Sequence, residues 1–364
     1  MLTPRERYIR AIEHEEVDRV PLTFNARHEV IVRLMYKLKC ENLEKLLKAL
    51  CIDQRNAPGI SLKGGYLPEG VKIKEGPYGP AYTIGYKGRF EIRRDIWGIE
   101  SIWAPDHTYT YTFIKHPLQY IDIDEYMWPE VDEESIEKVE KYCKTYGEEY
   151  PICAGVIHLF EIAWQLTGFN QFLKMMYTKP EYINRILENL DRIRFRQAKL
   201  LLDAGVDVIY DGDDVGAQTT MIVSPNLWKK YLKPRYKQLI NLCHKRGAFF
   251  FFHSDGWIEP ILPDLVEIGI DILNPVQPEC MDPAKIHEKY GNKLCLHGTI
   301  SVQTTLPFGT VNDVIEEVKK RIKTIGYTGL ILGPTHAIQP DTPLENIVAL
   351  YKAAVRYGKN PRWV

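Results

Sequence analysis

No run of about 18 apolar residues occurs in this 364-residue chain, so no membrane-spanning helix is expected. Neither sign of charge is in excess: 47 Lys and Arg stand against 48 Asp and Glu, a net charge of −1. That balance lacks the basic surface of a nucleic-acid binder and the polybasic patch that holds a protein on an anionic membrane. Paired cysteines are lacking as well. The seven, at positions 40, 51, 143, 153, 243, 280 and 295, are odd in number and include no Cys-x-x-Cys. This argues against a disulfide framework and for a reducing compartment. The opening Met1-Leu2-Thr3-Pro4-Arg5-Glu6-Arg7 has no apolar signal-peptide core, and a cytoplasmic location is the expectation. No Gly-x-Gly-x-x-Gly follows an apolar run, which weakens the case for a doubly wound, dinucleotide-binding sheet.

What is present is ordinary in bulk and informative in pattern. Hydrophobic residues make up 45% and charged residues 26%, globular values that allow a full core. Thr3, Pro4 and Glu6 spell a helix start with a capping box. Arg19 to Phe24 reads as a first short strand, and Leu43 to Leu50 as a helix leading to a second around Cys51-Ile52. From 57 to 117 the chain is rich in Gly, Pro and aromatics. Its alternating runs (Tyr82 to Ile84, Arg89 to Ile92, Thr108 to Phe113) predict an inserted β-rich segment of hairpins or a lid. Tyrosine is abundant at 22 residues, and one use for it is lining an aromatic or extended ligand site, although most are expected to cover surface.

Beyond about 130, strands and helices alternate. Strands are expected at Ile152 to Val156, Val206 to Tyr210, Phe249 to Phe252, Ile270 to Leu273, Lys293 to Leu296 and Gly329 to Leu332. Helices are expected at 180–204, 225–247, 258–269, 311–326 and 343–357. Apolar strands buried on both faces imply a parallel sheet. With the two early candidates the strands number eight, the count of a (β/α)₈ TIM barrel, and 1–364 is expected to be one such domain. A doubly wound sheet is the alternative.

Polar residues follow nearly every strand, where a barrel gathers its chemistry. They are Asn25, Arg27 and His28; His158 and Glu161; Asp211, Asp213, Asp214 and Gln218; His253 and Asp255; Asn274, Gln277 and Glu279; His297; and His336. Any one could be a cap or turn residue, but their recurrence on strand after strand is harder to explain that way. The run Ala248-Phe249-Phe250-Phe251-Phe252 ends in His253-Ser254-Asp255. Residues two apart on an extended end point the same way, and imidazole with carboxylate suits zinc or another divalent ion. With His336 they form a two-histidine, one-carboxylate set. The competing reading makes His253 an internal hydrogen-bonding group and Asp255 a helix cap. Cys280 and Cys295 read as packing, and His297 as a ligand or a hydrogen-bond donor.

Five segments then carry a resemblance: Asp211-Gly212-Asp213-Asp214-Val215-Gly216-Ala217-Gln218, Phe252-His253-Ser254-Asp255-Gly256, Asp271 to Gln277, His297-Gly298-Thr299-Ile300-Ser301 and Gly333 to Pro343. Together they resemble the uroporphyrinogen decarboxylase-like superfamily, most strongly from about residue 150 on. The resemblance implies a (β/α)₈ barrel and two branches of activity, decarboxylases and zinc-dependent, corrinoid-linked methyltransferases. The decarboxylases carry an arginine-rich MRQAGRY-type motif after the first strand. Here Pro21 to His28 keeps Arg27 but not the motif. The methyltransferases place a His-x-Cys pair after one strand and a Cys after the last, positions filled here by His253, Asp255 and His336.

Replacing both thiolates leaves more Lewis acidity on a metal, which favours an oxygen-bound methyl donor over a thiol acceptor. The expectation is therefore an O-demethylase-type methyltransferase with zinc at His253, Asp255 and His336. It would pass methyl from a small methoxylated donor to a corrinoid protein, a separate partner because no Asp-x-His-x-x-Gly occurs in this sequence. Glu161, Asp214 and His297 are the expected catalytic groups. Asn25, Arg27, Asp213, Gln218 and Gln277 are expected to bind substrate. No nucleic acid or membrane partner is expected, and a homodimer is left open. The alternatives are a metal-free decarboxylase using Arg27, Arg93 or Arg94, and a non-catalytic binding barrel.

Overall fold

The computed structural model describes residues 1–104 and 111–363. Seven parallel strands form one sheet: Arg55–Asn56, Ile152–Gly155, Val208–Gly212, Phe249–His253, Ile272–Asn274, Cys295–His297 and Leu330–Ile331. Their spatial order follows chain order, and helices return the chain between most of them, the arrangement of repeated βα units. An eighth position is filled by the segment around Leu22. Thr23 N–H donates to Leu332 O at 3.0 Å and Leu332 N–H to Pro21 O at 2.9 Å. On the other side Asp53 N–H donates to Leu22 O at 2.9 Å. The sheet thereby closes into a barrel.

Both early strands differ from the sequence reading. Arg19 to Phe24 is extended but meets the last strand through the single bridge Leu22 to Leu332, and Pro21 has no N–H for a ladder. The second strand lies at Arg55–Asn56, not at Cys51-Ile52. Cys51 instead has φ +57° and donates to Lys48 O, ending the helix Leu43–Ala49. The expected 225–247 helix is two, Pro225–Tyr231 and Lys233–Lys245, because Pro234 has no N–H to continue the ladder. The 258–269 helix opens as a 3₁₀ turn, Glu259–Ile261, before Leu262–Ile268.

Strand parity sorts the core. Phe250 and Phe252 point outward, where both rings meet Tyr236 of Lys233–Lys245. Phe251 points inward with Cys153, Val208, Ile272, Cys295 and Ile331. The first helix, Pro4–Ile12, keeps its Thr3–Glu6 capping box and supplies Tyr8, Ala11 and Ile12 to that inner cluster. The N-terminal end of the barrel is further closed by charge. Asp53, fully buried, accepts from Arg7 at 2.7 Å, Arg19 at 2.8 Å and Leu22 N–H at 2.7 Å. Asp207 accepts from Arg5 at 2.5 Å and from Ile152 N–H at 2.9 Å.

Between the first two barrel strands lies an antiparallel sheet of Lys74–Gly76, Gly79–Lys87, Phe90–Asp95, Glu100–Trp103 and Tyr111–Lys115. A two-stranded ribbon, Leu62–Gly64 with Pro129–Val131, brackets it. Of the alternation expected from Thr108 to Phe113, residues 108–110 lie outside the described residues, and Tyr111 to Phe113 is strand. Among the described residues no helix is long and apolar enough to cross a membrane.

Candidate metal centre

His253 is the last residue of Phe249–His253 and shares the inward parity of Phe251. The chain then turns sharply, and each step of the turn is tied down. Ser254, buried, accepts from Val215 N–H at 3.1 Å. Asp255 N–H donates to Asp214 Oδ1 at 2.8 Å, and Gly256 N–H to Gln277 Oε1 at 2.6 Å. Gly256 has φ +86°, and a Cβ there would lie 2.6 Å from the Gly216 backbone, so only glycine lets the two loops cross so closely. His336 follows Leu330–Ile331 in a segment held by Thr335 N–H on Ile300 O at 2.9 Å and Ile338 N–H on Asn25 O at 3.0 Å. These constraints bring ligand atoms of His253, Asp255 and His336 within 4.8 Å of one another.

The state of these atoms suits a cation. His253 Nδ1–H donates to Asn274 Oδ1 at 2.6 Å, so the neutral ring would present Nε2 with its lone pair, the form in which imidazole binds metal. That Nε2 lies 3.6 Å from Asp214 Oδ1, two electron-rich atoms that a cation would reconcile. Asp255 Oδ1 is buried without a hydrogen-bond partner, a costly condition for a carboxylate. Burial raises the Asp255 pKa above its ordinary value, against the pull of His253. Burial also lowers that of His336, against the pull of Asp255. Two imidazoles and a carboxylate match the donor set of a zinc site with an open position, so the residues fit the group. Orphaned oxygens occur elsewhere, as at Asp95 and Asp211, but among the described residues neither of those belongs to a cluster of three converging ligand atoms.

A second trio, His158, Glu161 and Asp213, is equally close and reads differently. His158 Nδ1 donates to Glu161 at 2.6 Å. Burial opposes charge on His158, but the Glu161 hydrogen bond and charge prevail and raise it to about 9. That raised value favours the protonated ring, which offers no lone pair to a metal. Asp213 Oδ1 accepts from Phe160 and Glu161 N–H at 2.7 and 3.0 Å, and Oδ2 from Tyr236 at 2.6 Å. Its donor atoms are committed to holding the start of Phe160–Thr167.

The remaining expected residues separate by what they touch. Gln277, buried, holds the Gly256 turn. Gln218 is exposed on the rim beside Gln303. Asn25 is exposed and lines the barrel cavity. Arg27 precedes the helix His28–Leu38, and its charge reaches His336 and Tyr111. Arg93 pairs with Glu91 at 2.7 Å and stacks on Trp103, while Arg94 pairs with Glu100 at 2.6 Å, all within the antiparallel sheet. His297, buried, is held at about 3 by burial and by the nearby His253. His253, His297 and His336 share a cavity of about 270 Å³ with Phe24, Tyr210 and Phe251.

Sequence reading missed Asn274 as a partner of two histidines. It also missed Tyr78, in the turn between Lys74–Gly76 and Gly79–Lys87, whose ring meets His158 at 5.5 Å and whose hydroxyl feels the charge of Glu161. Burial and Glu161 push that hydroxyl well above the ordinary tyrosine value. Pro77-Tyr78-Gly79 is a turn signal in the sequence, but nothing there says which end of the barrel the turn reaches.

Comparison with known proteins agrees with this frame. Residues 104–357 match the family model for uroporphyrinogen decarboxylase (URO-D). The chain is 26% identical over 223 residues to methylcobamide:CoM methyltransferase MtaA of Methanosarcina barkeri, covering 61% of this chain and 63% of that protein. It is 23% identical to uroporphyrinogen decarboxylase of Trichodesmium erythraeum, covering 61% and 64%. The chain thus spans less than two thirds of the length of these two relatives. A solved methyltransferase structure from Methanosarcina mazei superimposes with a TM-score of 0.67 at 21% identity, over 98% of this chain and 99% of that one.

Proposed function

Because the chain belongs to the uroporphyrinogen decarboxylase family, we propose that it is a zinc-dependent methyltransferase of that family, moving methyl from a small methoxylated donor to the cobalt of a separate corrinoid protein. The observation that carries the proposal is the convergence of His253, His336 and the orphaned Asp255 Oδ1 within 4.8 Å. These three residues would hold the ion, which when bound supplies Lewis acidity at an ether or phenolate oxygen. The chain's own groups do the rest. Asn274 fixes the ring of His253, and Asp214 fixes the backbone of Asp255. Glu161, hydrogen-bonded to His158, is assigned with Asp214 to relay to the leaving oxygen the proton that His158 holds. In the transfer the C–O bond breaks with its electrons left on oxygen, which takes that proton, while cobalt contributes the pair that forms the new C–Co bond. Asn25 and Arg27 are assigned to substrate; Asp213 and Gln277 position the loops that carry the site.

The corrinoid partner is supported by the MtaA relative, whose name places it between a methylcobamide and CoM. Oxygen rather than thiol chemistry is supported by the exchange of both expected thiolates for Asp255 and His336. A decarboxylase reading needs free cationic groups for substrate carboxylates, and Arg93 and Arg94 are engaged within their own sheet. The test is to incubate zinc-loaded protein with cob(I)alamin and methoxylated aromatics and follow methylcobalamin by absorbance. Formation that is lost in His253→Ala supports the proposal. Methylation of a thiol from methylcobalamin would redirect it, and coproporphyrinogen made from uroporphyrinogen would replace it.

A further inference from the structure

Asn274 joins two histidines through its two amide atoms. Its Oδ1 accepts from His253 Nδ1 at 2.6 Å, and its Nδ2 donates to His297 Nδ1 at 2.7 Å. An amide can accept only at oxygen and donate only at nitrogen, so the two contacts are coupled. If His253 is to offer its Nε2 lone pair to a cation, its Nδ1 carries the proton and Asn274 must turn its oxygen toward that ring. The amide nitrogen then faces His297 and makes Nδ1 an acceptor. The proton of neutral His297 is thereby left on Nε2. Turning the amide over would reverse both rings at once, giving His253 an Nε2–H that cannot bind metal.

His297 Nε2 is buried and has no hydrogen-bond partner, although 8% of the residue is exposed and it lines the cavity of about 270 Å³. A buried N–H without a partner is destabilising, and it is tolerated most readily where a ligand supplies the acceptor. The same cavity is lined by Phe24, Tyr210 and Phe251, and its volume exceeds the roughly 150 Å³ that holds a benzene ring. We infer that His297 Nε2–H is a substrate-binding donor, held in that role by Asn274, and that it selects a small aromatic substrate carrying a hydrogen-bond acceptor. This rests on the methyltransferase reading for the identity of the cavity as a substrate site. It adds the polarity of the substrate and makes Asn274 a positioning residue that links metal binding to substrate choice.

The test needs no turnover. Acetophenone and α-methylstyrene have nearly the same shape and differ in one acceptor oxygen, and each is titrated calorimetrically into the full chain with and without zinc. The wild-type protein should bind acetophenone about fivefold more tightly, the scale of one net hydrogen bond. His297→Leu should abolish the preference while α-methylstyrene still binds, and His297→Gln, which keeps a side-chain N–H, should restore part of it. Long-range ¹H–¹⁵N spectra of ¹⁵N-histidine-labelled protein should show the Nε2–H tautomer at His297, and loss of that single tautomer in Asn274→Leu. Equal affinities in the wild type, binding of neither compound, a preference that survives His297→Leu, or an Nδ1–H tautomer at His297 would each overturn the inference. Failure of zinc to bind while the acetophenone preference holds would instead count against the metal, leaving the donor role standing.

Discussion

The two ends of the barrel are built from the same residue types and treat them in opposite ways. At the N-terminal end, Asp53 is fully buried and both oxygens are taken, by Arg7, Arg19 and the Leu22 N–H. Asp207 likewise spends one oxygen on Arg5 and the other on Ile152 N–H. At the C-terminal end, Asp255 keeps a buried oxygen with no partner, and His253 and His336 converge on it. A saturated buried charge closes the fold, and an unsaturated one beside two imidazoles is chemistry waiting for a cation. An uncommitted oxygen is not enough by itself, since Asp211 also carries one; what sets Asp255 apart is the convergence of two imidazoles on it.

The largest effect expected to sharpen that contrast is at the mouth. His253→Ala should lower zinc affinity by well over about 100-fold, since even residues that only support a ligand contribute about 10–100-fold. Competition with a chromophoric chelator measures it, and the thermal midpoint of the apo protein should hardly move. Asp53→Ala is the mirror experiment. Removing one partner of a buried ion pair costs about 3–5 kcal/mol, so denaturant unfolding should show a large loss of stability with zinc affinity retained in the protein that remains folded. If Asp53→Ala abolished zinc binding in folded protein, the two ends would not be separable.

How far this contrast was legible in the sequence depends on what marks each residue. The Phe249–His253 strand ends abruptly from apolar to polar, so His253 and Asp255 stood out, although Asp255 lies past the strand's end and reaches His253 through the turn that follows rather than through strand parity. The barrel was legible from repeated apolar strands, and the hairpins at 57–117 from alternation. Arg55–Asn56 escaped because a two-residue strand of polar residues has no hydrophobic signature; Arg55 is buried by pairing with Glu44 and stacking on Tyr150. Asp213 looked like Asp214 in sequence, yet it caps a helix start while its neighbour reaches the site. Asn274 stood out as a strand-end residue, but its role, like that of Tyr78, was illegible because it depends on partners 21 to 83 positions away.

A smaller effect distinguishes the two trios at the mouth. The His158 pKa is raised from 6.5 to about 9, the sum of a burial penalty and a stronger attraction to Glu161. A raised folded-state value means the fold holds the proton more tightly than the unfolded chain. The dyad's contribution is complete below pH 6.5 and is lost as pH rises through about 9. Unfolding measured across that window should show stability falling with pH, and Glu161→Gln should flatten the fall. Unchanged pH dependence in that variant would show that His158 is not held by this carboxylate. The smallest effect belongs to the antiparallel sheet. Arg94→Ala breaks a partly exposed pair with Glu100, so stability should change by about 0–1 kcal/mol and zinc binding and methyl transfer should not change. A marked loss of activity would return Arg94 to the site and revive the decarboxylase reading.

The central claim is that the uncommitted atoms at the C-terminal mouth are metal ligands. Anomalous scattering recorded at the zinc edge, from crystals grown with zinc, tests it most directly. The account predicts one strong peak within bonding distance of His253 Nε2, a carboxylate oxygen of Asp255 and the His336 ring. No peak there, or a peak at His158, Glu161 and Asp213 instead, would contradict it.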